Sequence, residues 1–212
     1  MGRRGGSARD QRMRATLIRE AARLMAEEGV RDYYAAKRKA AERLGASDTR
    51  NLPANREVHD ALLEHQAVFG GEEHAEVLLR LRRRAVEAMT FFEQFRPRLV
   101  GPVLAGTADA DSDVQLHLFA DTPETVLLFL TERGIPFESD ERRVRFGRDG
   151  VSVQPVFRFF AGETEVELVV FSEAGLRQPP RSEIHGGAME RAGIAQVRAL
   201  IDEAVDAPGQ GA

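Results

Sequence analysis

The chain has 212 residues, of which 42% are hydrophobic and 30% are charged, a composition typical of a soluble globular protein. It contains no cysteine, which excludes disulfides, thiolate zinc sites and cysteine nucleophiles and fits a reducing compartment. No apolar run approaches the roughly 20 residues that cross a bilayer, and no apolar segment follows the arginine-containing start as in a secretory signal. We therefore expect a cytoplasmic protein with no membrane partner.

The formal net charge of −4 conceals an asymmetry between the two halves of the chain. Residues 1–100 carry 20 Lys and Arg against 15 Asp and Glu, whereas residues 101–212 carry 10 against 19. A basic half beside an acidic half favours an anionic partner, and RNA or another nucleic acid bound through the N-terminal half is one interpretation. A set of solvated, arginine-rich helices is the alternative.

The N-terminal half is predicted to be a helical region over residues 12–97, after a basic tail at 1–11 that we expect to be disordered. Asp32 is a suitable N-cap, and Gly29 and Gly45 are suitable helix ends. Apolar residues recur at helical spacing in four segments, which we predict to be helices: Arg12–Glu28, Tyr33–Leu44, Asn55–Val68 and Glu72–Phe95.

The first two predicted helices and the segment Leu44–Ser47 resemble the start of a TetR-type helix-turn-helix domain, which implies DNA binding. The recognition helix of such a domain would fall on Asp48–Asn55. That segment contains Pro53 and has no apolar anchor pattern beyond Leu52. The sequence therefore favours another role for these helices.

Four arginines lie close together in the fourth predicted helix: Arg80, Arg82, Arg83 and Arg84. They are candidates for contact with phosphates. Four arginines over five helical positions spread around the helix, however, and Glu76 and Glu87 are near enough to pair with some of them. A solvated helix face is the interpretation that the sequence favours.

The C-terminal half, residues 98–207, is predicted to be a small mixed sheet with flanking helices, followed by a frayed tail at 208–212. Apolar patterns predict five strands: one at Leu99–Val100, then Asp113–Phe119, Arg142–Gly147, Val151–Phe160 and Glu163–Phe171. Helices are predicted from Pro123 to Gly134 and at Ala188–Val205, with hairpin turns at Asp149-Gly150 and Ala161-Gly162. The predicted fold class is α+β, with a domain boundary near Arg96–Arg98.

The segment Leu99–Phe119 combines glycines and polar residues in a pattern typical of a ligand site. Gly101 and Gly106 allow backbone amides to come close to a ligand. After an acidic loop, the strand period of two places Asp113, Gln115 and His117 on one face, while the apolar residues between them face the core.

At these residues the chain resembles the polymerase-beta-like nucleotidyltransferase superfamily, over about twenty residues. The positions that match its motif in order and spacing are Gly101, Gly106-Thr107-Ala108, Ser112-Asp113 and Leu116. Two positions differ. Pro102 stands where the family has a serine that contacts the nucleotide phosphates, and Gln115 stands where it has the second metal-binding aspartate.

The resemblance implies transfer of a nucleoside monophosphate from a nucleoside triphosphate (NTP) to a hydroxyl group, with two Mg²⁺ or Mn²⁺ ions held by carboxylates. Asp113, the position of Gln115 and Glu167 would form the catalytic set, with Glu165 as the fallback for Glu167. His117, on the same strand face, is a further candidate metal ligand. The residues expected to contact the nucleotide are Gly101, Pro102, Gly106, Thr107 and Ser112. Arg177 and Arg181, in the loop after the last strand, are candidates to close over the triphosphate, and a plain linker to the last helix is the alternative for this loop.

Three functional hypotheses follow. The first is a divergent, metal-dependent nucleotidyltransferase. The second is a catalytically degenerate protein of the same fold that binds a nucleotide or nucleic acid without turnover, which Pro102 and Gln115 favour. The third is a regulator that uses the basic helical half. For Glu163, Glu165 and Glu167, a solvent-facing strand surface is the alternative to any ligand role.

Overall fold

The structure, a computed structural model, describes residues 8–46, 52–147 and 150–206. The predictions that concern residues 1–7, residues 47–51, Asp149 and the tail at 208–212 lie outside the described residues. The chain divides into two compact units. The first is Met1–Gly71 with Glu183–His185, and the second is Glu72–Ser182 with Gly186–Ala212.

The first unit contains the helices α1 (Ala8–Glu28), α2 (Tyr33–Arg43) and α3 (Asn55–Phe69). The Asp32 carboxylate caps α2 by accepting a hydrogen bond from the Ala35 amide at 2.6 Å, as the sequence predicts. The buried side chains between the helices are small or aliphatic: Leu17, Ala21, Leu24, Ala36, Ala40, Ala41 and Val58. Short alanine side chains at these contacts allow the helices to pack closely.

The described part of the second unit contains helices and strands in this order: α4 (Gly71–Phe91), β1 (Arg98–Val100), α5 (Gly101–Ala105), β2 (Val114–Phe119), α6 (Pro123–Glu132), β3 (Glu138–Phe146), β4 (Gly150–Ala161), β5 (Thr164–Phe171) and α7 (Ile194–Asp206). The sheet order is β1-β2-β5-β4-β3. Strands β2 and β5 are parallel, and the other neighbouring pairs are antiparallel. The predicted α+β class, with N-terminal helices followed by a small mixed sheet, is confirmed.

One face of the sheet packs against helices. The buried residues of this core come mainly from β1, β2, β4, β5 and the helices α4, α5, α6 and α7, and they include Leu116, Leu118, Leu168, Val170, Leu81, Ala85, Met89, Val126, Leu130 and Val197. Since the apolar stripe of α4 is buried in this core, α4 belongs with the sheet. The compact units accordingly divide at Gly71, whereas the sequence pattern placed the boundary near Arg96–Arg98.

The other face of the sheet is apolar at one end and charged at the other. A buried cluster of Phe119, Val156, Val169 and Phe171 forms the apolar end, and Leu176, from the short 3-10 turn after β5, packs against it. The charged end carries polar side chains from β2, β3, β4 and β5. This second face positions the residues that the sequence singled out.

Three predicted boundaries differ from the structure, two of them because they depend on contacts that are distant in sequence. Helix α1 begins at Ala8, inside the predicted tail. Strand β3 begins at Glu138 because it pairs with β4 from Glu138 opposite Arg158 onward. Helix α7 begins six residues later than predicted, since Ala192 pairs with Leu99 of β1 through two backbone hydrogen bonds of 2.8 and 3.0 Å.

Candidate functional site

Two neighbouring parallel strands bring the predicted carboxylates and Gln115 together at the charged end of the sheet. Gln115 on β2 lies directly opposite Glu167 on β5. The same register, continued by one residue, sets Asp113 level with Glu165. Asp113 and Glu167 are therefore diagonal neighbours on one sheet face rather than direct partners.

The Glu167 carboxylate is 3% exposed, and both of its oxygens are bound by arginines. Arg142 on β3 donates from Nη1 to Oε1 at 2.7 Å and from Nη2 to Oε2 at 2.6 Å. Arg158 on β4 donates from Nε to Oε2 at 3.1 Å and from Nη1 to Asp140 at 3.1 Å. A buried carboxylate needs such partners, and the paired donors of a guanidinium match its geometry. We call Glu167, Arg142 and Arg158 the Glu167 cluster.

The Gln115 side chain fills the space between Asp113 and the first turn of α5. Its Nε2 donates to Asp113 Oδ2 at 3.1 Å. Gly101 has a φ of 72°, and a Cβ atom at this position would lie 2.3 Å from Gln115 Oε1. Two features therefore require glycine at position 101: the left-handed backbone and the close contact with the Gln115 side chain.

His117 is 4% exposed, and its ring lies against that of Phe171 with the centroids 4.6 Å apart. Burial, with the charges of Arg191 and Arg142, lowers the pKa of His117 to about 3, so the ring is neutral at pH 7. Arg191 Nε lies 3.0 Å from His117 Nδ1. Because a guanidinium only donates, Nδ1 is the acceptor and the ring proton is on Nε2. His117 thus fixes Arg191, which also donates to the Gly175 carbonyl at 2.7 Å.

The remaining motif residues hold the turn that leads into β2. The Pro102 carbonyl accepts hydrogen bonds from the amides of Gly106 and Thr107 at 2.9 and 3.0 Å. The Ser112 hydroxyl donates to the Asp109 carboxylate at 2.6 Å and accepts from the Asp109 amide at 2.9 Å. The nucleotide contacts that the resemblance implies for these residues stay predictions.

Arg177 and Arg181 are exposed in the segment after β5. The Arg181 amide donates to the Arg145 carbonyl of β3 at 2.6 Å, and its side chain donates to the Gly186 carbonyl. Arg181 lines an open pocket of about 640 Å³, together with Phe146. The structure thus places Arg181 at the C-terminal end of β3, and a closing role of either arginine over a triphosphate stays a prediction.

The side chains as they stand do not fit two Mg²⁺ or Mn²⁺ ions, which need several charged oxygen ligands. Both Glu167 oxygens are bound by arginines, Gln115 is neutral, and His117 Nδ1 accepts from Arg191. Across residues 8–46, 52–147 and 150–206, no three or more His, Cys, Asp or Glu side chains form a group that could hold a metal ion. The ligand roles of Asp113, Glu165, Glu167 and His117 stay predictions.

Sequence reasoning missed the two arginines that bind the Glu167 carboxylate. Arg142 and Arg158 lie 25 and 9 residues from Glu167, on strands whose order in the sheet is not visible locally. One signal was available: Arg158 interrupts the apolar run Val156–Phe160, and a charged residue inside such a strand needs an acidic partner.

Basic residues of α1 and α2 are paired with acids of α1. The carboxylates of Glu20, Glu27 and Glu28 lie 2.6–3.9 Å from nitrogens of Arg23, Lys39 and Arg43. Much of the positive charge that the sequence shows in this region is therefore neutralised locally. This pairing favours the solvated-helix interpretation for α1 and α2.

Compared with family models, curated proteins and solved structures, the chain matches none. Among the helices of the described residues, none combines the length and apolar character needed to cross a membrane. The resemblance to the polymerase-beta-like nucleotidyltransferases accordingly rests on the residues of Leu99–Phe119 and stays a prediction.

Proposed function

We propose that the chain is a catalytically degenerate nucleotidyltransferase-like protein that binds a nucleotide without transferring it. The observation that carries this proposal is the Glu167 cluster, in which both oxygens of the carboxylate are bound by Arg142 and Arg158. An active enzyme of the proposed type would use this carboxylate to hold a metal ion. Here positive charge on the protein takes the place of that ion.

The arginines of the cluster retain donors for a phosphate. A guanidinium has five N–H groups, and Arg142 uses two of them on Glu167. The side chains of Arg142 and Arg158 are 40% and 28% exposed, whereas that of Glu167 is 3% exposed. A phosphate approaching from solvent therefore meets guanidinium groups before it meets the carboxylate. Charge-assisted bonds from arginine to phosphate are among the strongest hydrogen bonds available to a protein.

The glutamine at position 115 supports the same proposal. An aspartate opposite Glu167 would add a negative charge that repels phosphate unless a metal ion offsets it. Gln115 removes that charge, and its amide is directed to Asp113 at 3.1 Å. The replacement weakens metal binding and favours metal-free binding of a phosphate.

A metal-dependent nucleotidyltransferase is the second candidate, and one observation favours it. Asp113 and Glu165 lie level on neighbouring strands, two residues from Glu167 along β5. Two carboxylates and bound waters can hold a single Mg²⁺ ion. In that case nucleotide binding would depend on the metal.

Calorimetric titration with the four nucleoside triphosphates, in Mg²⁺ and in EDTA, tests the proposal. We expect the wild type to bind in EDTA, and Arg142→Gln to bind about tenfold more weakly because a charged hydrogen bond to phosphate is lost. Arg143→Gln is the matched control, since its exposed side chain lies on the opposite face of the same strand. Arg142→Lys keeps the charge beside Glu167 and should lose less affinity than Arg142→Gln.

Two results would contradict the proposal. Binding that requires Mg²⁺, is abolished in Asp113→Ala and is accompanied by pyrophosphate release would support the transferase and contradict the degenerate protein. No binding of any triphosphate by the folded wild type would contradict both candidates.

A further inference from the structure

The four arginines of α4 do not spread evenly around the helix. Arg82 turns inward, with Nε directed to the Val103 carbonyl at 3.4 Å and Nη1 to the Leu200 carbonyl at 3.5 Å. Arg80, Arg83 and Arg84 are exposed. With Arg82 used for packing within the unit, the other three arginines form a separate surface feature.

These three residues, which we call the α4 arginine stripe, lie on one helix face. Helical spacing places Arg80, Arg83 and Arg84 between Glu76 at one end and Glu87 at the other. Together with Leu79 they line an open groove of about 350 Å³. At a rise of about 1.5 Å per residue, Arg80 and Arg84 are roughly 6 Å apart along the helix axis. Three guanidinium groups are thus available to one extended anion.

The stripe is only weakly neutralised. Arg84 pairs with Glu87 at 2.7 Å, but the two side chains are 49% and 63% exposed, and such surface pairs are readily exchanged for other partners. Arg80 and Arg83 make no ion pair with any residue that the structure describes. By contrast, Arg23, Lys39 and Arg43 of α1 and α2 are all paired with acids.

We infer that the α4 arginine stripe binds the sugar-phosphate backbone of a nucleic acid. The three arginines outnumber Glu76 and Glu87, so a second copy of the chain docked along α4 would leave arginine facing arginine, which is repulsive. A protein partner would be expected to bury an apolar or aromatic centre, and the groove offers only Leu79. A phosphate backbone needs no apolar contact, because its charge dominates such binding.

Fluorescence polarisation of the full-length chain with a labelled single-stranded RNA and a DNA of the same sequence tests this inference. We expect binding at about 50 mM salt, and at least a tenfold loss of affinity in the double variant Arg80→Gln/Arg83→Gln. The slope of log K against log salt should decrease in magnitude by about 1.4, since each lost phosphate contact removes about 0.7. RNA and DNA should bind with similar affinity, because the contacts are to the backbone.

The control is Arg143→Gln/Arg198→Gln, which removes the same charge from exposed sites on β3 and α7. Equal losses in the two double variants would overturn the inference, since they would reflect net charge alone. Absence of binding at low salt would overturn it as well, and so would tighter binding of a glutamate-rich peptide than of RNA. Arg142→Gln should leave RNA binding intact, which separates this surface from the proposed nucleotide site.

Discussion

Burial decides the chemistry that His117 and Arg191 can perform. An exposed histidine titrates near pH 6.5, but burial and then the charges of Arg191 and Arg142 lower the pKa of His117 to about 3. Burial, and then the charge of Arg98, lowers the pKa of Arg191 to about 10, so Arg191 stays protonated at neutral pH. Arg191 therefore stays a hydrogen-bond donor and His117 an acceptor over the physiological pH range. Its role is to fix the chain after β5 rather than to exchange protons.

A pH-dependent loss of stability follows from His117. Between pH 6.5 and pH 3 the unfolded chain binds a proton at this histidine while the folded chain does not, so stability falls as the pH falls. Between pH 7.5 and pH 5 this one group should remove about 2 kcal/mol from the free energy of unfolding. Urea unfolding at the two pH values measures the loss.

The variant His117→Gln isolates the contribution, because its amide oxygen can still accept from Arg191 but does not titrate. The variant should lose about 2 kcal/mol less than the wild type over the same pH interval. Parallel pH dependence of the two proteins would show that His117 titrates normally in the folded state.

At the scale of elements, the junction of β1 and α5 depends on one glycine. Gly101 combines a φ of 72° with a Cβ direction that points at Gln115 Oε1, 2.3 Å away. Gly134 has a similar φ of 63°, yet a Cβ there would meet nothing within 4 Å. The two positions therefore separate the cost of the backbone conformation from the cost of the contact.

We expect Gly134→Ala to destabilise the protein by about 1 kcal/mol, the cost of a left-handed alanine, and Gly101→Ala to cost about 2–4 kcal/mol because the contact adds to it. Adding Gln115→Ala to Gly101→Ala should recover only the part of the destabilisation that comes from the contact with Gln115. Urea unfolding of the three variants gives these values. Equal effects of the two single substitutions would show that Gln115 moves aside without cost.

Local signals predicted the elements well, whereas pairings between distant elements were not predictable from them. The Asp32 cap and the apolar alternation of β2 act within a few residues, and both are found in the structure. The arginine partners of Glu167 depend on strand order, which no short window of sequence contains. The motif thus located the candidate site, but not the charges that occupy it.

At the scale of the whole molecule, each compact unit has its own apolar core. The first unit buries residues such as Leu24 and Ala40 between its helices. The second buries residues such as Leu116 and Met89 between the sheet and its helices. The candidate nucleotide site and the α4 arginine stripe both belong to the second unit. Function is therefore expected to depend first on the stability of the sheet unit.

Separate cores predict separate local unfolding, which matched cavities in the two units can test. Leu24 and Leu116 are each 0% exposed, so Leu24→Ala and Leu116→Ala should each cost about 2–5 kcal/mol in the unit that contains them. In hydrogen exchange of the full-length chain, Leu24→Ala should accelerate exchange in α1, α2 and α3 and leave β2 and β5 unchanged. Leu116→Ala should do the reverse. If either substitution accelerates exchange equally in both regions, the two units unfold as one cooperative structure, and a defect in either would reach the proposed binding surfaces.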